Sequence, residues 1–216
     1  MPALEKKGIL VVISGFSGAG KGTIVKALLS QHSDYALSVS ATTRGMREGE
    51  RDGIDYFFVT KEHFTDMIEG GELYEYAEYS NNYYGTPKSY VDRQMEEGKD
   101  IILEIDVRGA MNIKKRFPDT VLIFVTPPGA SDLRYRLEHR GSETAEKIAW
   151  RLKRAEEEVK YLPEYDYVLV NEDVGESTEF LHSIIRSEHA KVVRNSEFVE
   201  DITRELLELN KSTDGQ

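Results

Sequence analysis

The chain has 216 residues, 39% hydrophobic and 31% charged, which suits one sizeable α/β core with small inserts rather than two independent domains. Its formal net charge of −11 argues against a nucleic-acid surface, which needs an excess of Lys and Arg, and the absence of cysteine excludes disulfides and thiolate metal sites. The apolar run at residues 9–13 is too short for a signal peptide or a membrane span, so the expected setting is the cytoplasm, with no membrane partner.

Residues 8–14 form a continuous apolar, β-branched run of strand length, and residues 24–31 repeat Ile24, Ala27 and Leu28 at helical spacing. Between them lies Gly15-Phe16-Ser17-Gly18-Ala19-Gly20-Lys21-Gly22-Thr23. A strand, a glycine-rich turn and a helix are the context that gives a phosphate-binding loop meaning. The glycines let the backbone turn successive N–H groups towards one point, at a helix N-terminus where an anion is favoured. Lys21 adds an ammonium able to reach β- and γ-phosphates. Gly22 stands where a Ser or Thr would ligate Mg²⁺, which leaves Thr23 as the adjacent hydroxyl.

Residues 36–40 read as a short strand, followed by strands at 55–59 and 73–79 with a helix at 61–69 between them. This interrupts the strand–helix rhythm and reads as an insert over residues 40–87. A helix over about 88–97 leads back to the core. Strands are then expected at 100–106, 121–125 and 166–170, and helices up to 117, from a Ser131 cap to 139, over 144–161 and over 175–193. Such alternation predicts a parallel sheet flanked by helices, with ligands at the carboxyl ends of the strands, where the loop, Glu104, Asp106 and Asn171 emerge. From Ser196 on, Phe198, Ile202, Leu206 and Leu209 recur at helical spacing, predicting an amphipathic helix laid on the body or on a partner subunit.

Three clusters could carry chemistry. Arg44 and Arg47, with Ser40, Tyr56 and Tyr84, could converge on one phosphate, or the arginines could simply be solvated. Glu75 and Thr86 offer a carboxylate and a hydroxyl suited to guanine's adjacent N1–H and N2–H₂ donors, or Glu75 is an exposed residue of an alternating strand. Arg136, Arg140 and Arg151 flank a break at Gly141 and could surround an anion, or lie on helix surfaces.

Taken in order, the loop, Ser38-Val-Ser-Ala-Thr-Thr-Arg44 with Arg47, Gly53-Ile-Asp-Tyr56, Asn82-Tyr-Tyr-Gly-Thr86, Leu103-Glu-Ile-Asp106 and Arg136-Leu-Glu-His-Arg-Gly141 resemble the guanylate kinases over about residues 8–193. The resemblance implies a P-loop nucleoside monophosphate kinase that transfers the γ-phosphoryl group of ATP to GMP, with Mg²⁺ accompanying ATP. It implies a P-loop core at residues 1–39 and 88–193, a lid within it at about 131–151, a small mixed GMP-binding insert at 40–87 and a tail at 194–216.

Carried onto this chain, the resemblance assigns ATP to Gly15 through Thr23 and, near the adenine, Asn171. Arg44, Arg47, Tyr56 and Tyr84 would hold the GMP phosphate, and Ser40, Glu75, Thr86 and Asp106 would read guanine. Lys21, Arg136, Arg140 and Arg151 would act on the transferring group, and Glu104 would join the Mg²⁺ water shell. Phe16 stands where proline is usual, and Arg108 where glutamine is common. The alternative is a guanylate kinase-like scaffold that binds protein partners and catalyses nothing.

Overall fold

A computed structural model describes residues 7–79, 81–139 and 144–213. The chain opens with β1 (Leu10–Gly15), α1 (Lys21–Gln31) and β2 (Tyr35–Leu37). It continues through β3 (Ala41–Thr42), β4 (Phe57–Phe58), α2 (Lys61–Glu69), β5 (Leu73–Tyr79) and β6 (Asn82–Pro87). It then runs through α3 (Lys88–Glu96), β7 (Asp100–Glu104), α4 (Val107–Arg116), β8 (Val121–Thr126), α5 (Ala130–Glu138) and α6 (Ala145–Glu158). It closes with β9 (Tyr167–Val170), α7 (Val174–His189) and α8 (Ser196–Thr213).

The main sheet has the order β2-β7-β1-β8-β9, and every pairing in it is parallel. Its central strand explains the unbroken apolar run, because both faces are covered. Val11 and Ile13 pack with Ile24 and Leu28 of α1 and with Leu181 and Ile185 of α7. On the other face Leu10 and Val12 meet Val91 of α3 and Ala110 and Ile113 of α4. Each such burial stabilises the fold by about 1.5–3 kcal/mol. At the start of β7, buried Asp100 accepts from the backbone of Ile9 at 3.0 Å and is hydrogen-bonded to His189 at 2.8 Å. That pins the start of β1, and therefore the depth from which the loop emerges.

The inserted strands form a separate mixed sheet, β4-β3-β6-β5, with its own small core of Ala41, Phe64, Met67 and Leu73. β6 is not among the expected strands, and it contains Gly85 and Pro87, two residue types that weaken a strand. It is nevertheless internal, paired to both β3 and β5, and Gly85 is admitted because a Cβ there would stand 2.9 Å from Glu75 O and 3.0 Å from Phe64.

Several boundaries differ from expectation for identifiable reasons. α5 starts at Ala130 after Gly129, so Ser131 lies inside the helix and does not cap it. The long charged helix ends at Glu158 and tightens into a 3₁₀ turn, Val159–Glu164, whose Pro163 cannot continue an α-helical ladder. α7 begins earlier than expected because Asp173 caps it, accepting from Glu176 N at 3.0 Å. α8 does not lie on the body: Phe198, Ile202, Leu206 and Leu209 are all exposed. Among the described residues, no helix is long and apolar enough to cross a membrane.

Candidate active site

The loop between β1 and α1 is shaped by close backbone approaches. At Gly15, with φ +145°, a Cβ would stand 2.0 Å from Val125 O of β8. At Gly20, with φ +92°, it would stand 2.3 Å from the Asn171 amide nitrogen. Only glycine fits either position. α1 then starts at Lys21, and its first N–H groups surround a groove of about 480 Å³ lined by Ser17, Lys21, Thr23, Glu104 and Arg136 with three loop glycines. Lys21 donates to Gly15 O at 2.8 Å and Phe16 O at 3.2 Å, so its ammonium rests on the loop's own carbonyls.

Glu104 ends β7 at the groove wall. A Cβ on Gly22 would lie 3.6 Å from Glu104 Oε2, so the glycine leaves the carboxylate open to the loop. Loss of surrounding water raises the Glu104 carboxyl above its ordinary value, and the Lys21 ammonium opposes that rise. Among the described residues no three or more His, Asp or Glu side chains gather to hold a metal ion. The oxygen-bearing side chains of the groove are one carboxylate, Glu104, and the hydroxyls of Ser17 and Thr23, a donor set that would fit a hard, water-carrying ion.

Asn171 is 3% exposed; its side chain donates to Ala19 O at 2.7 Å and accepts from Ser177 Oγ at 3.1 Å. It braces the loop from behind. Two arginines of the helices beyond β8 also reach the loop: Arg136 donates to Asn171 O at 2.7 Å and Ala19 O at 3.4 Å, and Arg151 to Ser17 Oγ. Arg140, and with it Gly141, lies outside the described residues.

On the inserted sheet, Arg44 is held in a fork by Glu50, at 2.7 and 3.0 Å, and lies over the rings of Tyr56 and Phe58 at 5.4 and 5.7 Å. Tyr56 meets Tyr84 edge-on at 6.1 Å, and the Arg47 backbone donates to the same Glu50 carboxylate at 2.8 Å. Glu50 is the member that sequence reading missed, and its only signal was an acid six residues beyond Arg44. The guanidinium holds this carboxylate through two N–H donors at once, the fork geometry that arginine also offers to phosphate.

Glu75 is 9% exposed, not the solvated residue of an alternating strand, and Thr86 Oγ1 donates to its Oε1 at 2.8 Å. Burial raises its carboxyl to about 7, against the Thr86 hydrogen bond and with the nearby Asp106 charge adding to the rise. Asp106 caps α4, accepting from Gly109 N at 2.9 Å, and meets Arg154 of α6 at 3.3 Å. Gly109 brings the two acids together: its Cβ position would be 3.5 Å from Asp106 Oδ1 and 3.7 Å from Glu75 Oε2. Ser40, at the entry to the insert, is half-buried.

The family model described as Guanylate kinase matches residues 7–188. The guanylate kinase of Caldanaerobacter subterraneus subsp. tengcongensis is 47% identical over 203 residues, covering 94% of this chain and 98% of its own. That of Oceanobacillus iheyensis is 47% identical over 188 residues, covering 87% and 91%. Among solved structures, the guanylate kinase of Anaplasma phagocytophilum superposes with a TM-score of 0.68 at 34% identity, covering 89% of this chain and 92% of that one.

Proposed function

The chain belongs to the guanylate kinase family, a family of phosphotransferases, and on that premise we propose how its own residues divide the work. The reading is ATP + GMP giving ADP + GDP. An oxygen of the GMP phosphate attacks the γ-phosphorus of ATP while the bond to the β-phosphate oxygen breaks and ADP leaves. Such a transfer needs positioning and charge neutralisation rather than a covalent enzyme intermediate or a strong base.

The loop backbone and Lys21 receive the ATP phosphates, and Lys21 must exchange the carbonyls of Gly15 and Phe16 for phosphate oxygens. Mg²⁺, bound with ATP, would add charge neutralisation there, and Glu104 and Thr23 are the residues that would hold it through its water shell. Asn171 contributes by fixing Ala19 and Gly20. Residues 40–87 form the GMP site. Arg44, Arg47, Tyr56 and Tyr84 take the GMP phosphate, which displaces Glu50, while Glu75, Thr86, Asp106 and Ser40 take guanine. The observation that carries GMP as acceptor is the buried Glu75–Thr86 pair, because a sheltered carboxylate calls for a ligand with paired N–H donors. A coupled assay for ADP release tests it: turnover should depend on added GMP and be negligible without it.

Protonation gives a second test. Guanine's donors require the ionised carboxylate, whereas a Glu75 carboxyl at about 7 is largely protonated in the free protein below that pH. Binding below about pH 7 must then release a proton, so GMP affinity should fall by up to about tenfold per pH unit on acidification and be flat above about pH 7.5. The titration of the GMP phosphate is common to every variant, so subtracting the profile of Glu75→Gln isolates the Glu75 contribution. Identical profiles for the two proteins would remove Glu75 from the site.

The lid is residues 131–151, with Arg136 and Arg151 facing the loop and Arg140 between them in sequence. Closure over both nucleotides would bring these charges to the transferring group and exclude water. Hydrogen exchange should show α5 and the first half of α6 strongly protected by a bisubstrate analogue and much less by an ATP analogue alone. Equal protection by the two ligands would contradict the lid assignment.

A further inference from the structure

We infer that Phe16 is a positioning residue, the joint through which the phosphate loop holds the lid helices in place before any nucleotide binds. The inference rests on the lid reading above and adds to it a mechanical link inside the loop itself.

Phe16 is half-buried and sits between two clusters. On one side it packs on the main core, with its ring edge-on to Phe124 of β8 at 4.9 Å and 79°. On the other it packs on the cluster of Leu133 and Leu137 from α5 with Ile148, Leu152 and Ala155 from α6. Among the described residues, Phe16 is the one side chain shared by both clusters. Its neighbours in the loop reach the same helices. Ser17 is bound by Arg151, and a Cβ on Gly18 would lie 3.0 Å from Leu137 Cδ2.

The consequence follows from what small apolar clusters can do. The α5–α6 cluster has three buried members, too few to hold two helices against the sheet on its own. The aromatic ring extends that cluster into the main core, so it supplies the apolar link between lid and sheet beside the polar ties of Arg136 and Arg151. The Phe16 carbonyl also accepts from Lys21, so the same residue meets the ammonium that ATP must recruit. A lid already seated on the loop needs less reordering when both substrates arrive, and the saving is felt as tighter use of ATP.

The test compares the whole protein with Phe16→Ala, Phe16→Leu and Leu152→Ala, the last removing a lid-side partner without touching the loop. In the nucleotide-free proteins, amides of α5 and α6 should exchange about tenfold or more faster in Phe16→Ala, with β1 and β8 unchanged. Leu152→Ala should reproduce that lid effect, and Phe16→Leu should largely restore wild-type exchange. In steady state KM for ATP should rise several-fold in Leu152→Ala while kcat changes by less than about threefold, because the arginines still close the lid over bound substrates. Unchanged lid exchange in Phe16→Ala would overturn the inference. So would faster exchange spread evenly over lid and sheet, since that marks an ordinary core residue. Failure of a bisubstrate analogue to protect the wild-type segment would instead refute the lid reading, while the nucleotide-free comparison would still decide whether Phe16 joins helices to loop.

Discussion

Replacing Lys21 with Met should lower kcat by roughly two orders of magnitude or more, the scale of losing a preorganised charge partner in a phosphate site. Methionine matches the length of the lysine stem and fills the same space against the loop, so the substitution removes charge and donor capacity more than volume. In the structure the ammonium bonds to the carbonyls of Gly15 and Phe16. Those bonds are made within the loop and are available to water in the variant, which argues for a modest stability effect beside a large catalytic one. GMP affinity should change little, because the insert that carries Arg44 and Glu75 folds around its own core of Phe64, Met67 and Leu73. A thermal melt and a GMP titration check those two points. Near-normal turnover in a folded Lys21→Met protein would mean that the loop backbone and the lid arginines neutralise the phosphoryl charge without it.

Glu75→Gln carries the second large effect. A carboxylate accepts hydrogen bonds only, and guanine presents N1–H and N2–H₂ side by side, whereas adenine turns a lone pair towards the same place. With Glu75 buried and already accepting from Thr86, an unmatched base above about pH 7 leaves a charge with its water stripped or must bind with uptake of a proton. Sites built on such a match reject the analogue lacking it by up to roughly 10⁴-fold. The amide removes that penalty, so kcat/KM for GMP should drop by about ten- to a hundredfold and the GMP-to-AMP ratio should narrow. AMP should remain a poor acceptor, since Thr86 and Asp106 are untouched. The variant should be no less stable than the parent near neutral pH, because a buried carboxyl raised to about 7 disfavours the ionised fold there. The sign runs one way: the protonated form is favoured by the fold, so this group's stabilisation is full below the unfolded value and is lost as pH rises through about 7.

Most of the core was legible because its signals are local. An apolar run buried on both faces, a glycine turn that no side chain could enter at Gly15 or Gly20, and a helix with spaced Ile24 and Leu28 together require a parallel sheet with a phosphate loop. What escaped depended on contacts between distant segments. β6 is a strand because β3 and β5 lie on either side of it, and that pairing overrides the glycine and proline that argue against it. Glu75 looks exposed in an alternating pattern and is buried because α4 arrives over it, with Gly109 leaving the room. Asn171 emerges at the carboxyl end of its strand as expected, and its hydrogen bond to Ala19, across 152 residues, is one that no spacing could announce. Glu50 follows the same logic at short range, since its carboxylate is marked out only by the fork it forms with Arg44.

The most direct measurement of the central claim is a screen of nucleoside monophosphates as acceptors with ATP as donor, read as kcat/KM from ADP release. The buried Glu75–Thr86 pair beside an intact loop predicts that GMP is used at least about a thousandfold better than AMP, CMP or UMP, with no appreciable ATP turnover when no acceptor is present. Comparable use of AMP and GMP, or ATP hydrolysis that ignores GMP, would contradict it.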